Sequence, residues 1–334
     1  MNLDALRRKR IKRLGVRSAG YTGQRRIFFV LDRATRKFHG DINLWVQYIE
    51  YARQQKAYKK LSLIFTDALR VHPANADLWI YAAKYTLDDH ADMMLARSYM
   101  QRGLRFCKSS KKLWISYAKL ELIYIAKLVA RQRILGLDNT NERPTAEPKD
   151  SYDDMDADEI KLPALTREGM YPDEKPDVEA DLSTIQNLGS SPALSGAIPL
   201  AIFDSSVKNF NNDDRFGYDF YNMVLEFENI PCLRKILAHI VDVMLAAKPA
   251  SSYTLICYVR FPTAGINITS SEFPRALGAS LGRLKEHKAN PGLAKETINW
   301  LQPLASADGV DPALQKVMAA TIYRSERVID PAQP

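Results

Sequence analysis

The sequence predicts an all-α protein in which antiparallel helix pairs repeat and stack as a solenoid. Three tryptophans, Trp45, Trp79 and Trp114, recur every 34 or 35 residues, a period typical of helix-pair repeats. Apolar or small residues follow each tryptophan at three and six positions, on one helical face: Tyr48 and Tyr51, Ala82 and Tyr85, Tyr117 and Leu120. Strand-like alternation is weak and glycine is sparse before the last third of the chain, which also favours helices.

A second set of periodic positions precedes each tryptophan. A small residue stands 11 positions upstream, at Ala34, Ala68 and Gly103, and a large apolar residue stands 14 positions upstream, at Leu31, Phe65 and Met100. This pattern predicts a second helix per unit, whose small residue lets the aromatic side chain approach. We therefore predict that the repeat core contains Trp45, Tyr48, Tyr51, Ala68, Trp79, Tyr85, Gly103, Trp114 and Tyr117.

An N-terminal array is expected over residues 1–137. Its helices are predicted at 24–38, 45–55, 58–71, 77–88, 91–107 and 112–135, with a basic helix at 3–13 as the partner of the first. Asp41 or Asn43 can cap the helix that contains Trp45, and Asp77 can cap the helix that contains Trp79. A solenoid should begin with a capping unit, but residues 3–13 resemble a helix tail without a partner, so we expect the first repeat unit to be missing.

An acidic insertion is expected at residues 138–197. Residues 138–181 hold 15 Asp or Glu and 5 Lys or Arg, and the insertion contains several prolines and little apolar periodicity, so disorder or an extended excursion is predicted. Apolar residues such as Met155, Ile160 and Leu162 leave two alternatives open. The segment is either a solvated spacer, or it folds back on the basic array or binds a partner.

Helical patterns resume after the insertion. Residues 198–260 are predicted to form further degenerate repeat helices, at 198–210, 216–227 and 233–247, with Phe216 in the place of a tryptophan. Residues 251–260 are compatible with a helix or a strand. Residues 261–334 are expected to form degenerate or poorly ordered C-terminal helices, at 272–288, 291–301 and 312–328.

Basic residues concentrate near the N-terminus. Residues 7–37 contain 12 Lys or Arg and one acid, Asp32, in a chain of net charge +8. A surface of this sign attracts nucleic acid or acidic protein segments, and a nuclear import signal is a further possibility; the alternative is a solvated helix face beside a loop. The candidate RNA or partner face consists of Arg7, Arg8, Lys9, Arg10, Lys12, Arg13, Arg25 and Arg26.

Residues with catalytic or metal-binding chemistry are scattered along the sequence. The five histidines lack second ligands at suitable spacing, and the three cysteines are far apart, as expected for a reducing compartment. The tightest polar cluster is Asp88, Asp89, His90 and Asp92, for which helix capping competes with a metal or catalytic role. No phosphate-binding loop, secretory signal or long apolar run occurs. We expect a soluble, intracellular, non-enzymatic protein without cofactor, metal, membrane span or small-molecule substrate.

Several motifs resemble the half-a-TPR (HAT) repeat family. They are Trp45-x-x-Tyr48-x-x-Tyr51, Trp114-x-x-Tyr117-x-x-Leu120 and the second-helix pattern Ala96-Arg97-x-Tyr99-x-x-Arg102-Gly103. Residues 25–38 and 40–51 are similar, more closely, to the HAT-repeat subunits of the UtpB subcomplex of the small-subunit processome. The resemblance is strong over 1–137, weaker over 198–260 and loose beyond 260, and members of that family carry roughly one more repeat unit before Leu3.

The resemblance implies a non-catalytic scaffold in the nucleolus that supports 18S rRNA maturation. It also implies WD40 propeller proteins as partners, with pre-rRNA and small nucleolar RNA nearby. Two alternatives stay open: a HAT scaffold of pre-mRNA splicing or 3′-end processing, and a module that binds RNA directly. An enzyme would require a pocket of converging groups that the sequence does not indicate.

Overall fold

The computed structural model describes residues 21–134, 194–227, 230–287, 290–307 and 310–329, and six single positions among the first twenty. The continuous ranges contain thirteen α-helices, one short 3-10 helix and no β-strand. The predicted all-α fold class is therefore confirmed. Residues 135–193, which include most of the predicted acidic insertion, lie outside the described part of the chain.

The chain divides into two compact units, Met1–Leu120 and Glu121–Pro334, called unit 1 and unit 2 here. The boundary lies within a helix. The predicted domain limits at residues 137, 197 and 260 stay a prediction. The helices that begin in unit 1 are α1 (Tyr21–Lys37), α2 (Ile42–Gln54), α3 (Tyr58–Val71), α4 (Ala76–Asp89), α5 (Met93–Phe106) and α6 (Lys111–Ile134), which contains the boundary.

Consecutive helices of unit 1 pack against each other in chain order, from α1 on α2 to α4 on α5. The connections within the α2–α3 and α4–α5 pairs are three residues long, so each pair is an antiparallel hairpin. Both connections contain a non-glycine residue with left-handed backbone, Lys56 and Ala91, each at φ 54°. These two residues are 35 positions apart, so the turn geometry repeats with the sequence period.

Polar side chains cap the helices that follow the turns. Asp41 caps α2 and accepts a hydrogen bond from the backbone N–H of Asn43 at 3.0 Å. The predicted cap at Asp77 is wrong, because Asn75 takes this position and accepts hydrogen bonds from the N–H groups of Asp77 and Leu78. The backbone of Asn75 is extended, as an N-cap requires, whereas Asp77 already lies in the first helical turn.

Unit 2 continues the pattern of short loops and packed helices. In residues 251–260, which are compatible with a helix or a strand by sequence, Ser252–Arg260 form a helix. Contacts between elements 34 or 35 residues apart also recur, as in the hydrogen bond of 2.7 Å between His239 Nε2 and Asp204 Oδ1. The elements are α7 (Ala197–Asn209), α8 (Asp214–Leu225), α9 (Leu233–Ala247), α10 (Ser252–Arg260), a 3-10 turn (Phe261–Thr263), α11 (Phe273–Glu286), α12 (Pro291–Ala305) and α13 (Pro312–Ile329).

Several apolar clusters of side chains hold the described part of unit 2 together. Aromatic side chains from α7 and α8 form the first, and Phe203, Phe216 and Phe220 are fully buried there. The second joins the last three helices, and its buried members are Phe273, Leu277, Leu301, Val310 and Met318. The segment predicted to be degenerate or poorly ordered thus has a regular core of its own. No helix in the described ranges is both long and apolar enough to cross a bilayer.

Candidate interaction surface

The tryptophans of the repeat make the same hydrogen bond in successive turns of unit 1. Each indole Nε1–H donates to the backbone carbonyl six residues earlier, in the connection before its own helix. The bonds join Trp45 to His39 (2.9 Å), Trp79 to Pro73 (2.9 Å) and Trp114 to Lys108 (3.1 Å). The indole therefore fixes the direction in which the chain enters the helix, in addition to filling the core.

The same turn carbonyls also accept a bond from the next repeat. His72 Nε2 lies 2.7 Å from the carbonyl oxygen of His39, and the Cys107 thiol donates to the carbonyl of Pro73 at 3.4 Å. A carbonyl oxygen can only accept, so His72 carries its proton on Nε2 in this bond. Each turn is thereby linked to the turn 33 or 34 residues further on, which gives the sequence period a direct structural basis.

Most of the predicted core residues are buried. Trp45, Tyr48, Tyr51, Ala68, Trp79, Tyr85, Gly103 and Tyr117 all lie in the interior of the helix array. Trp114 differs, because it is only partly buried although its indole makes the shared hydrogen bond.

Gly103 lets helix α5 approach Trp79 closely. A Cβ atom added at Gly103 would lie 2.9 Å from Trp79 Cγ and 3.0 Å from Trp79 Cβ. The Trp79 ring also stacks on Phe106, with ring centres 6.0 Å apart and an interplanar angle of 10°. The position 35 residues earlier, Ala68, is fully buried and accommodates a methyl group. The small residue predicted for each second helix thus has a packing role, and at Gly103 only hydrogen fits.

The polar cluster around His90 holds helices together. Asp92 caps α5 by accepting a hydrogen bond from the N–H of Leu95 at 3.0 Å. Asp89 accepts two hydrogen bonds from the Arg53 guanidinium, both at 2.8 Å, and so joins α2 to α4. His90 Nε2 lies 2.9 Å from the Tyr85 hydroxyl. Every bond found at these residues ends a helix or links two helices.

Reactive and metal-binding groups are dispersed in the described part of the chain. No three His, Cys, Asp or Glu side chains converge there as a metal site would require. Cys107, Cys232 and Cys257 are buried and unlinked. Burial raises the pKa of the Cys257 thiol to about 12, the opposite of the shift that activates a nucleophilic cysteine.

The predicted basic face is exposed wherever the structure describes it. Lys9, Arg10, Lys12 and Arg13 are helical and exposed. Arg25 and Arg26 are exposed on the first turns of α1. The remaining two residues of that face, Arg7 and Arg8, lie outside the described part of the chain.

Charge in unit 1 follows the alternation of the helices. The second helices of the pairs, α1, α3 and α5, together hold 11 Lys or Arg and 2 Asp or Glu. The first helices, α2 and α4, hold 2 Lys or Arg and 4 Asp or Glu. Between Tyr21 and Phe106, positive charge is therefore concentrated on the second helices. Helix α6, which contains Trp114, is also basic, with 6 Lys or Arg and 1 Glu.

Three arginines occupy the same position in successive second helices. Arg36, Arg70 and Arg105, called the arginine row here, are 34 and 35 residues apart and lie in the last turns of α1, α3 and α5. Arg36 and Arg70 line a common groove between α1 and α3, which Trp45 and Tyr48 also line. Sequence reasoning missed Arg70 and Arg105, because it examined only the dense run at residues 7–37. Applying the 34–35-residue period to basic residues would have found them.

Some charges of the first helices are paired across repeats. Arg53 of α2 binds Asp89 of α4, and Lys112 Nζ of α6 lies 2.5 Å from Asp77 of α4. These pairs neutralise Arg53 and Lys112. Arg70 and Arg105, in contrast, have no ion-pair partner in the described ranges.

Comparison with known proteins finds several similar proteins that share one descriptive name, although no family model matches the chain. The chain is 34% identical over 200 residues to U3 small nucleolar RNA-associated protein 6 of Schizosaccharomyces pombe, covering 57% of this chain and 41% of that protein. The Homo sapiens homologue of that protein is 33% identical over 103 residues, 31% of this chain and 17% of the relative. The Dictyostelium discoideum homologue is 25% identical over 208 residues, 62% and 32% of the two chains.

The chain spans less than half the length of the relatives that it matches. All of these relatives carry the same descriptive name, and two of the matches extend over 200 and 208 residues. The predicted resemblance to U3 small nucleolar RNA-associated proteins is confirmed: the chain is similar to the U3 small nucleolar RNA-associated protein 6 proteins of four organisms.

Proposed function

We propose that the protein is a non-catalytic scaffold of the small-subunit processome, of the UtpB type, that supports 18S rRNA maturation and small ribosomal subunit biogenesis. The observation that carries the proposal is the similarity to U3 small nucleolar RNA-associated protein 6 over 200 residues. A protein of this kind works in the nucleolus, next to pre-rRNA and small nucleolar ribonucleoprotein, with WD40 propeller proteins among its partners.

The helix-pair array supports a scaffold role. Stacked repeats bury only a local core and leave extended surfaces, which suit binding to several partners better than they suit catalysis. In unit 1 the interior is occupied by the aromatic residues and turn hydrogen bonds of the repeat. The exposed faces of the helices are therefore the surfaces that remain for partners.

Affinity purification tests the proposal directly. The tagged full chain is expressed in a eukaryotic cell, crosslinked, and isolated for mass spectrometry and for sequencing of the RNA that accompanies it. Enrichment of pre-rRNA, U3 small nucleolar RNA and WD40 proteins over an unrelated tagged basic protein is expected. Fluorescence microscopy should show the tagged chain in the nucleolus. Enrichment of spliceosomal RNA or 3′-end processing factors in their place would overturn the assignment in favour of the alternative HAT scaffold.

A further inference from the structure

We propose that the second helices of unit 1, α1, α3 and α5, form a binding surface for single-stranded RNA, with the arginine row contacting phosphates. The inference deepens the proposed function and rests on it, because it assigns to a specific surface the RNA contact that the proposed function implies. In this proposal the main RNA contact is a surface that extends across three repeats, and not the basic N-terminal run alone.

The first argument is the periodic placement of the arginines. The spacings of 34 and 35 residues along Arg36, Arg70 and Arg105 equal those of the buried residues Leu31, Phe65 and Met100. Residues that share a repeat position also share a place on the stacked helices. The three guanidinium groups thus follow one another along the array, as contacts to a continuous phosphate backbone would require.

The second argument is that these charges are available. Among the described residues, Arg70 and Arg105 lack an ion-pair partner. Arg36 pairs with Asp32 at 2.9 Å, but the Arg36 side chain is 79% exposed and that of Asp32 is 43% exposed, and such solvated pairs contribute little. On the opposite helices, the ion pairs between repeats neutralise Arg53 and Lys112. Unpaired arginines on one side only are what an anionic ligand requires.

The third argument concerns the aromatic rings beside the arginines, which favour RNA over an acidic peptide. Phe29 is 66% exposed and lies on the same face of α1 as Arg25, Arg33 and Arg36, at spacings of four, four and seven residues. Phe106 is 61% exposed and follows Arg105 directly. An exposed ring between arginines offers a stacking surface for an unpaired base, whereas an acidic peptide gains little from it.

The test measures binding of the full chain to a fluorescein-labelled single-stranded oligouridylate. One variant replaces the three arginines of the arginine row with glutamine. The matched control replaces three exposed lysines with glutamine, Lys56, Lys84 and Lys295, so both variants lose three positive charges. Each phosphate contact on a single strand contributes about −0.7 to the slope of log K against log salt. Loss of three contacts should reduce the slope by about 2 and the affinity at ~0.1 M salt by roughly 100-fold. The control should bind like the unmodified chain.

Two further variants separate RNA contact from damage to the fold. Asp67 occupies in α3 the position that Arg33 has in α1 and Arg102 has in α5, and it is exposed. Asp67→Arg should therefore increase the affinity by at least about five-fold at ~0.1 M salt, a gain that unfolding cannot produce. Phe29→Ala should weaken binding by at least about five-fold through lost stacking.

Several outcomes would overturn the proposal. Equal weakening by the arginine variant and the lysine control would mean that net charge alone attracts RNA. Equal affinity for single-stranded and duplex RNA would remove the role assigned to the rings. Loss of a crosslinked protein partner in the arginine variant, with unchanged RNA binding, would make the surface a protein interface. In each case the purification described above can still return pre-rRNA, so the two proposals fail separately.

Discussion

Gly103→Ala tests whether the close approach of α5 to Trp79 is a specific requirement of the repeat. The new methyl carbon would lie 2.9 Å from Trp79 Cγ and 3.3 Å from Leu113 Cδ2, whereas carbon atoms prefer about 3.5–4.0 Å. The indole must shift by about 0.6 Å. Its hydrogen bond to the Pro73 carbonyl and its stacking on Phe106 oppose that shift.

The magnitude follows from two opposing contributions. Overpacking of this kind costs about 1–3 kcal/mol, while replacing glycine by alanine inside a helix favours folding by about 1 kcal/mol. A net loss of up to about 2 kcal/mol is therefore expected. Gly278 in α11 is the matched helical control, because no atom lies within 4 Å of its added Cβ, so Gly278→Ala should stabilise by about 1 kcal/mol.

The assay is urea unfolding followed by far-UV circular dichroism and by tryptophan fluorescence. Gly40→Ala serves as a control inside unit 1, because its added Cβ also meets nothing within 4 Å. If Gly103→Ala raised the urea midpoint as much as Gly278→Ala does, the close contact between α5 and Trp79 would not constrain the fold. The account of the small residue in each repeat would then be wrong.

Three other predictions follow from the same structure. Trp79→Ala should reduce the free energy of unfolding by about 3–5 kcal/mol, because it leaves a large cavity and removes the hydrogen bond to the Pro73 carbonyl. Urea titration measures the change, and a reduction below about 1 kcal/mol would contradict this packing role. Ala91→Gly should raise the free energy of unfolding by about 1 kcal/mol, because a left-handed backbone is unfavourable for alanine, and a lower melting temperature would contradict it. For Asp214, burial opposes ionisation, but hydrogen bonds from Ser251 and Lys248 outweigh burial and hold the pKa below its ordinary value of 3.8. A lowered pKa stabilises the fold above the ordinary value, and this stabilisation is lost as the pH falls through the folded pKa. Asp214→Asn should therefore lower the free energy of unfolding at pH 7 and leave it unchanged in strong acid. A loss of stability that is independent of pH would refute this.

The helix boundaries show how far local patterns determine structure. The sequence predicts a helix at residues 58–71, and α3 has the same limits; its C-terminal end is marked locally by the His72-Pro73 pair. The predicted start of α4, at residue 77, is one residue too late, because Asn75 and Asp77 are both good capping residues and the prediction takes Asp77 as the N-cap. Backbone conformation at Asn75 decides between them, and the sequence alone does not reveal it.

The interaction surface was harder to predict than the core. The high density of basic residues favours residues 7–37 as the interaction surface, but whether an arginine is available to bind a partner depends on its neighbours in space. Arg53 and Arg70 are both exposed arginines of unit 1, yet Arg53 is held by Asp89, 36 residues away. Only the packing of α2 against later helices separates the paired from the unpaired residue.

The sequence by itself determined the fold class, the repeat period, the aromatic core and the relationship to U3 small nucleolar RNA-associated protein 6. These follow from spacing and from similarity along the chain, which need no knowledge of distant contacts. The tertiary structure decided that the indoles bond to turn carbonyls, that only hydrogen fits at Gly103, and that Arg53 has an ion-pair partner whereas Arg70 and Arg105 have none among the described residues. Each of these depends on which atoms the folded chain brings within a few ångströms of one another, and residues more than thirty positions apart meet only when the repeats stack.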